Sequence, residues 1–254
     1  MDLDTQSTTA MLPVHLDDRP VGKRIAFVAL ATDHTSERDF ARICDPDQVG
    51  VYTNRIAFEN PTTRETLLQT GPRLTEAAAQ ILPAEDVDVI AYGCTAASIV
   101  LGNDVVTRYL NAAKPNAHCV TPSSAAFAAF AALDIACVSV LTPYSLEVTD
   151  NLAHYFATHG PEVANASCLG LTDDRQMARV SQESIIDAAI AACDPRADAL
   201  FISCTALRAA VCVERIEDRL GKPVITSNQA MIWRCLRLVG LNYPISGYGQ
   251  IFNI

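Results

Sequence analysis

The chain is short of positive charge, of glycine and of long apolar runs, and each shortage narrows what it can do. Its 19 lysines and arginines face 29 aspartates and glutamates, for a formal net charge of −10. A phosphate backbone needs a basic face, so nucleic acid is not expected as a partner. An anionic substrate stays possible, because a few local donors can hold one inside an acidic protein. The longest unbroken apolar run, 125–133, is far too short to cross a bilayer, and no membrane association is expected. Residues 1–22 carry Asp2, Asp4, Asp17 and Asp18 and show neither the cationic start nor the apolar centre of a secretion signal. They read as an N-terminal arm. The 9 cysteines are odd in number, include no C-x-x-C, and suggest reduced thiols in a cytoplasm. No G-x-S-x-G, G-x-G-x-x-G or Walker loop occurs, which disfavours a serine hydrolase, a dinucleotide enzyme or an ATPase. His154 and His159 are five apart on an expected helix, hence on different faces, so no metal site is expected.

What is present is one stretch that occurs twice. Residues 86–96 form an apolar run ending in Gly93-Cys94-Thr95-Ala96, and residues 196–206 repeat the shape, 110 positions on, ending in Ser203-Cys204-Thr205-Ala206. Residues 25–32, followed by Glu37, match 135–142, followed by Glu147, at the same offset. That alignment sets Asp33 opposite Pro143 and His34 opposite Tyr144. A third echo sets Thr226 to Ala230 over Thr121 to Ala125 at an offset of 105. The chain therefore reads as an internal duplication of two half-domains, each offering one cysteine.

Between these landmarks, apolar strand-like runs alternate with helical periods. Strands are expected near 24–31, 49–56, 87–93, 117–120, 135–141, 163–169, 197–203 and 223–226. Helices are expected from Glu37, from Gly71-Pro72, after Ala96, over 121–133, from Ser145 to His159, over 175–193 and 207–220, and over 228–239. Residues 59–71 show no strong period. Strict alternation with only 11 glycines argues α/β, with parallel sheets covered on both faces. The expected architecture is two pseudosymmetric three-layer αβα half-domains around an active-site cleft. Ligands in open α/β sheets bind beyond the carboxyl ends of the strands, where both cysteines fall.

A thiol at the start of a helix lies near unpaired backbone N–H groups and the positive end of the dipole. Both favour thiolate, so Cys94 and Cys204 are expected below the ordinary thiol value of about 8.5. Two thiols facing one small carboxylate suit proton removal on one face and return on the other. The other use is nucleophilic, one thiolate adding to an activated carbon. The remaining cysteines read as structural, since cysteine is among the most buried residue types. Thr95 and Thr205 would add hydroxyl donors to the carboxylate. Asp33 and Tyr144, at strand ends, suit either substrate orientation or surface capping. Arg55 with Asn54 reads as a carboxylate grip or as a solvated pair, and Ser227 and Asn228 as caps of the last helix. Two α/β lobes around a cleft also describe non-catalytic binding proteins, which leaves that class open.

On the two cysteine motifs the sequence resembles the aspartate/glutamate racemase superfamily, over nearly all of residues 24–240. The stretch from Ala31 through Asp33 to Glu37, Thr142-Pro143-Tyr144, and Thr226 to Ala230 with Trp233 resemble the branch of maleate cis-trans isomerases and arylmalonate decarboxylases. Within it, the racemase-like ectoine-utilisation proteins are the most similar. The resemblance implies a cofactor-independent racemase or isomerase with Cys94 and Cys204 catalytic. Its substrate would lie against Asp33, Arg55, Thr95, Ala96, Tyr144, Thr205 and Ala206, with Tyr144 and both threonines on a carboxylate. It also implies that the last helix rejoins the first half, giving half-domains of 23–120 plus 227–254 and of 121–226. The expected partners are a small carboxylate substrate and further copies of the chain. Two departures matter: arylmalonate decarboxylases lack the first cysteine, and maleate isomerases tend to carry an amide where Asp33 stands. A carboxylate there would repel a dicarboxylate and suit a substrate with a cationic or hydrogen-bond-donating group.

Overall fold

In the computed structural model, which describes residues 11–254, the chain alternates strand and helix from Lys23 onward. Of the expected arm, residues 11–22 form no helix or strand and leave Met11, Leu12, Val14 and Leu16 exposed; residues 1–10 lie outside the described residues. The first half runs β1 (Lys23–Leu30), α1 (Ser36–Ile43), β2 (Val49–Ile56), α2 (Arg64–Leu68), α3 (Leu74–Gln80), β3 (Val89–Gly93), α4 (Thr95–Leu101), α5 (Asn103–Asn111) and β4 (His118–Val120). The second runs α6 (Pro122–Ala132), β5 (Cys137–Thr142), α7 (Leu146–His159), β6 (Glu162–Cys168), α8 (Asp174–Met177), α9 (Gln182–Ala192), β7 (Ala199–Ile202), α10 (Val213–Leu220) and β8 (Val224–Thr226), and the closing helix α11 (Ser227–Leu238) follows.

Two four-stranded sheets result, ordered β2-β1-β3-β4 and β6-β5-β7-β8, with every pairing parallel. The central strands are buried along nearly their whole length, because helices cover both faces and each position must be apolar. The two orders coincide element for element, so β3 and β7, the cysteine strands, hold the same place. The 105 offset also appears in the ladders, where Ile90 faces Cys119 and Leu200 faces Val224. Each of β4 and β8 then enters a helix through a threonine capping box, Thr121 with Ser124 and Thr226 with Gln229. These two helices, α6 and α11, pack along each other, and α11 also lies against β3, β4 and α1.

The ladders correct one alignment. Ile25 faces Val89 in the first sheet, whereas Val138 faces Ala199 in the second, so β1 and β5 correspond at 113 rather than 110. The flanking contacts agree: the Arg24 N–H donates to Asp88 Oδ2 at 2.7 Å, as the Cys137 N–H does to Asp198 Oδ2 at 2.8 Å. Asp33 is therefore not the counterpart of Pro143, nor His34 of Tyr144. A strand buried on both faces is apolar everywhere, so its residue types do not mark register.

Other boundaries differ locally. The segment 59–71 contains α2, held by a capping box of Thr63 with Thr66. The helix expected over 175–193 is two, α8 and α9. Cys94 caps α4 as expected, but Cys204 is followed by turns and a 3-10 segment before α10 begins at Val213. No helix among the described residues is long and apolar enough to cross a membrane.

Candidate active site

The carboxyl ends of β1, β3, β5 and β7 converge on one small cavity. Its wall contains Asp33, Cys94, Ala96, Tyr144, Cys204, Thr205 and Ala206, all expected from the sequence. It also contains Leu30, Phe58, Thr62, Leu67, Gly93 and Asp174, which were not. Cys94 comes from the end of β3 and Cys204 from the end of β7, so each half contributes one thiol. At about 10 Å³ the space holds little more than one water. A larger space of about 230 Å³ beside it shares Thr62, Leu67 and Ala96, and forms a vestibule.

The two cysteine loops are tied together behind the cavity. Ser227 Oγ accepts from the Cys204 N–H at 3.0 Å and from the Thr95 hydroxyl at 2.7 Å. The Thr205 hydroxyl donates to Gly93 O at 3.0 Å, and Asn228 Nδ2 donates to Thr205 O at 2.9 Å. Cys204 itself has φ of +94°, a region rare for a residue with a side chain, and the brace holds it there. Thr226 caps α11, so Ser227 and Asn228 are not caps but the clasp between motifs. Thr95 lies outside the cavity wall, its hydroxyl engaged by Ser227, and the Thr205 hydroxyl is spent on Gly93. Neither hydroxyl is free for a carboxylate.

Arg55 is also placed differently from expectation. It lies outside the cavity wall and donates to Leu30 O, Ala31 O and Asp33 O at 3.4, 3.3 and 2.8 Å, and pairs with Glu37. It shapes the loop that carries Asp33. Asn54 donates to Ala77 O and Gln80 Oε1, away from the cavity. Both residues invite the carboxylate reading because they end a strand, but the strand is an edge one.

Asp33 is 6% exposed. Its Oδ1 accepts from the N–H groups of Thr35 and Ser36 at 2.7 and 2.9 Å, while Oδ2 is buried with no partner. Asp174 stands in the same wall, its Oδ2 accepting from the Thr32 hydroxyl at 2.5 Å. Burial pushes both carboxyls above their ordinary range. Among the described residues, no lysine, arginine or histidine lines the cavity. An acidic pair just past the end of β6, Asp173-Asp174, was the available signal for the second carboxylate.

The thiols depart from expectation in the same direction. Cys94 Sγ accepts from the Ala97 N–H at 3.4 Å, as a helix N-cap should, yet burial, and then Asp174, Cys204 and Asp33, hold its thiol well above the usual range. Burial, and then Asp174, push Cys204 up to about 12, against the Tyr144 hydroxyl and the N–H groups of Ala206 and Leu207. Desolvation outweighs the helix terminus. Desolvation in the cavity therefore favours the thiol form of both cysteines. Among the described residues, no group of three or more His, Cys, Asp or Glu side chains is arranged to hold a metal ion.

A family model described as arylmalonate decarboxylase matches residues 69–252. The chain belongs to this family. It lies in the aspartate/glutamate racemase-like branch that includes maleate isomerases and arylmalonate decarboxylases. It is 31% identical over 138 residues to arylmalonate decarboxylase from Bordetella bronchiseptica, covering 53% of this chain and 58% of that one. With maleate isomerase from Alcaligenes faecalis it shares 25% over 117 residues, 46% of either chain. The matches thus span about half the length of these two relatives. Among solved structures, maleate isomerase Iso from Pseudomonas putida S16 superposes with TM-score 0.84 at 22% identity, covering 91% of this chain and 98% of that one. A doubly substituted arylmalonate decarboxylase in liganded form gives 0.82 at 26% identity, over 91% and 99%. A Nocardia farcinica maleate cis-trans isomerase mutant with a covalently bound succinylcysteine intermediate gives 0.82 at 21%, over 91% and 98%.

Proposed function

We propose that this protein is a cofactor-independent isomerase that turns over a small carboxylate between Cys94 and Cys204. The observation that carries the reading is that one thiol from each half, with Tyr144 between their motifs, lines a single closed cavity. In a two-base reaction one cysteine, as thiolate, takes the proton from the carbon beside the carboxylate. The other, as thiol, returns a proton on the opposite face, so the pair ends with its charge exchanged and none consumed. The Tyr144 hydroxyl belongs to the same wall as both thiols and is placed to orient the carboxylate or steady the thiolate.

The wall also narrows the substrate. Two acidic side chains and no cationic one among the lining residues favour a molecule that carries a cationic or hydrogen-bond-donating group beside its carboxylate. Such a group would meet the unpartnered Oδ2 of Asp33, and its charge would bring the thiols back towards ionisation. Zwitterionic amino acids and cyclic amidines such as ectoine and hydroxyectoine fit this description better than maleate. The motif resemblance supports a place in ectoine or hydroxyectoine utilisation.

A second reading is decarboxylation of a malonate, favoured by the family match and by the 31% identity to a decarboxylase. One experiment separates them. Ectoine, hydroxyectoine, their ring-opened acetyl derivatives, aspartate, maleate and an arylmalonate are each incubated with the protein in deuterated water. Isomerisation by proton exchange incorporates deuterium beside the carboxylate without loss of mass, whereas decarboxylation releases carbon dioxide. Cys94→Ser and Cys204→Ser should each abolish net inversion, because serine provides almost no alkoxide base near neutrality. Full turnover by both single variants would sink the two-cysteine reading. A mass adduct trapped on one cysteine would instead favour nucleophilic addition.

A further inference from the structure

Outside the reacting cavity, one cleft gathers positive charge in a chain whose net charge is −10. Arg38, beside His34, lines it from the first half, and Arg175, Arg179 and Arg208 supply the charge from the second, around about 670 Å³. Among the described residues the one carboxylate in its wall, Asp173, is already engaged by Arg175, with Nη2 2.5 Å from Oδ2. Arg38, Arg179 and Arg208 have no carboxylate at ion-pair distance among the described residues. Arg179 Nε donates to Arg175 O at 3.2 Å and Arg208 Nη2 to Val180 O at 2.8 Å, while Arg208 Nε is buried with no partner.

Like charges gathered in a concave, partly dehydrated space repel one another, and an anion there relieves the repulsion. Guanidinium forks suit the paired oxygens of phosphate and carboxylate groups. The position matters as much as the charge. His34 follows Asp33 and Arg175 follows Asp174, the two acids of the reacting cavity, so a ligand in the cleft would touch the same two loops from opposite halves.

We propose that this cleft binds a small polyanion, with two or more negative charges on phosphate or carboxylate groups, and that its occupancy holds the halves closed over the cysteines. The site is separate from the cavity proposed for the isomerisation, and its test does not depend on that activity.

The full chain is titrated calorimetrically with pyrophosphate, citrate and acetate in buffers matched in ionic strength with chloride. Pyrophosphate or citrate should bind one to one, the stronger of the two naming the phosphate or carboxylate source, and acetate far more weakly. Arg38→Gln with Arg179→Gln should weaken binding about tenfold or more, and Arg208→Gln alone should weaken it in the same direction. Circular dichroism confirms that each variant is folded, and the single Arg38→Gln and Arg179→Gln variants replace the double one if it is not. The bound polyanion should also slow alkylation of Cys94 and Cys204 severalfold in the wild type and not in the Arg variants. No heat beyond the chloride control, binding unchanged in the folded variants, or acetate binding as tightly as pyrophosphate would overturn the site. Binding without slower alkylation would overturn its role in closure.

Discussion

Asp39 shows how far burial alone moves a charge in this protein. It is 2% exposed, on α1 beneath the cysteine loops, and its Oδ2 accepts from Asn228 Nδ2 at 2.9 Å. Burial pushes its carboxyl from 3.8 up to about 6, against the Asn228 hydrogen bond and the Arg42 charge. The sign follows directly. The folded state holds the proton more tightly than the unfolded one, so the associated stability is complete below about 3.8 and is lost as pH rises through about 6. At neutral pH the loss is on the order of 3 kcal/mol, since each tenfold tightening of proton binding is worth about 1.4 kcal/mol. Asp39→Asn keeps an acceptor for Asn228 and removes the charge. Urea unfolding should show the variant more stable than wild type at pH 7 by up to about 3 kcal/mol, with the difference vanishing below about pH 4. A difference that does not change across that range would mean Asp39 is charged at little cost. The same desolvation acts on Cys94 and Cys204, where local sequence suggested the opposite direction, because a helix N-terminus is visible in sequence and burial depth is not.

At the scale of elements, the strands were legible and their register was not. Residues 49–56 form β2 to the residue, since a short run between turn signals admits few alternatives. The duplication was legible in β3 and β7, whose cysteines sit at matched strand ends, and in the paired capping boxes of α6 and α11. It misled over β1 and β5, because a strand buried on both faces slides by three residues without exposing anything polar. The loop after β7 was also hidden. Nothing local predicts that Cys204 adopts a positive φ, since a distant residue, Ser227, holds it. That dependence is testable. Ser227→Ala leaves the buried Cys204 N–H and the Thr95 hydroxyl without their acceptor, at roughly 1 to 3 kcal/mol each. The variant should therefore lose on the order of 2 to 5 kcal/mol of stability in denaturant unfolding. Ser227→Thr, which restores the acceptor, should recover part of it if the α11 packing admits a methyl group. Wild-type stability in Ser227→Ala would show that the clasp is incidental.

At the scale of the whole molecule, the halves are latched over a cavity of about 10 Å³, so the proposed substrate can enter only if they part. The latch is local. Asn60 Nδ2 donates to Asp173 Oδ1 at 3.1 Å, Asn60 Oδ1 accepts from the Asp174 N–H at 3.1 Å, and the Thr62 N–H donates to Thr172 O at 2.8 Å. All three bonds join the segment before α2 to the segment after β6, across the vestibule. Opening should govern how fast reagents reach the thiols, since both are buried and burial disfavours their thiolate forms. Alkylation of Cys94 and Cys204 is then expected to be slower than that of the half-buried Cys168, not faster as two thiolates would be. Asn60→Ala removes two of these three outer bonds, each worth about 0.5 to 1.5 kcal/mol, and should raise the labelling rates of both thiols together by roughly tenfold. Cys235, packed within α11 and away from the latch, should label no faster than before. Mass spectrometry of timed alkylation resolves all three sites in one sample. If Cys94 and Cys204 label quickly in the wild type, or if Asn60→Ala accelerates only one of them, the halves do not open as a unit about this latch.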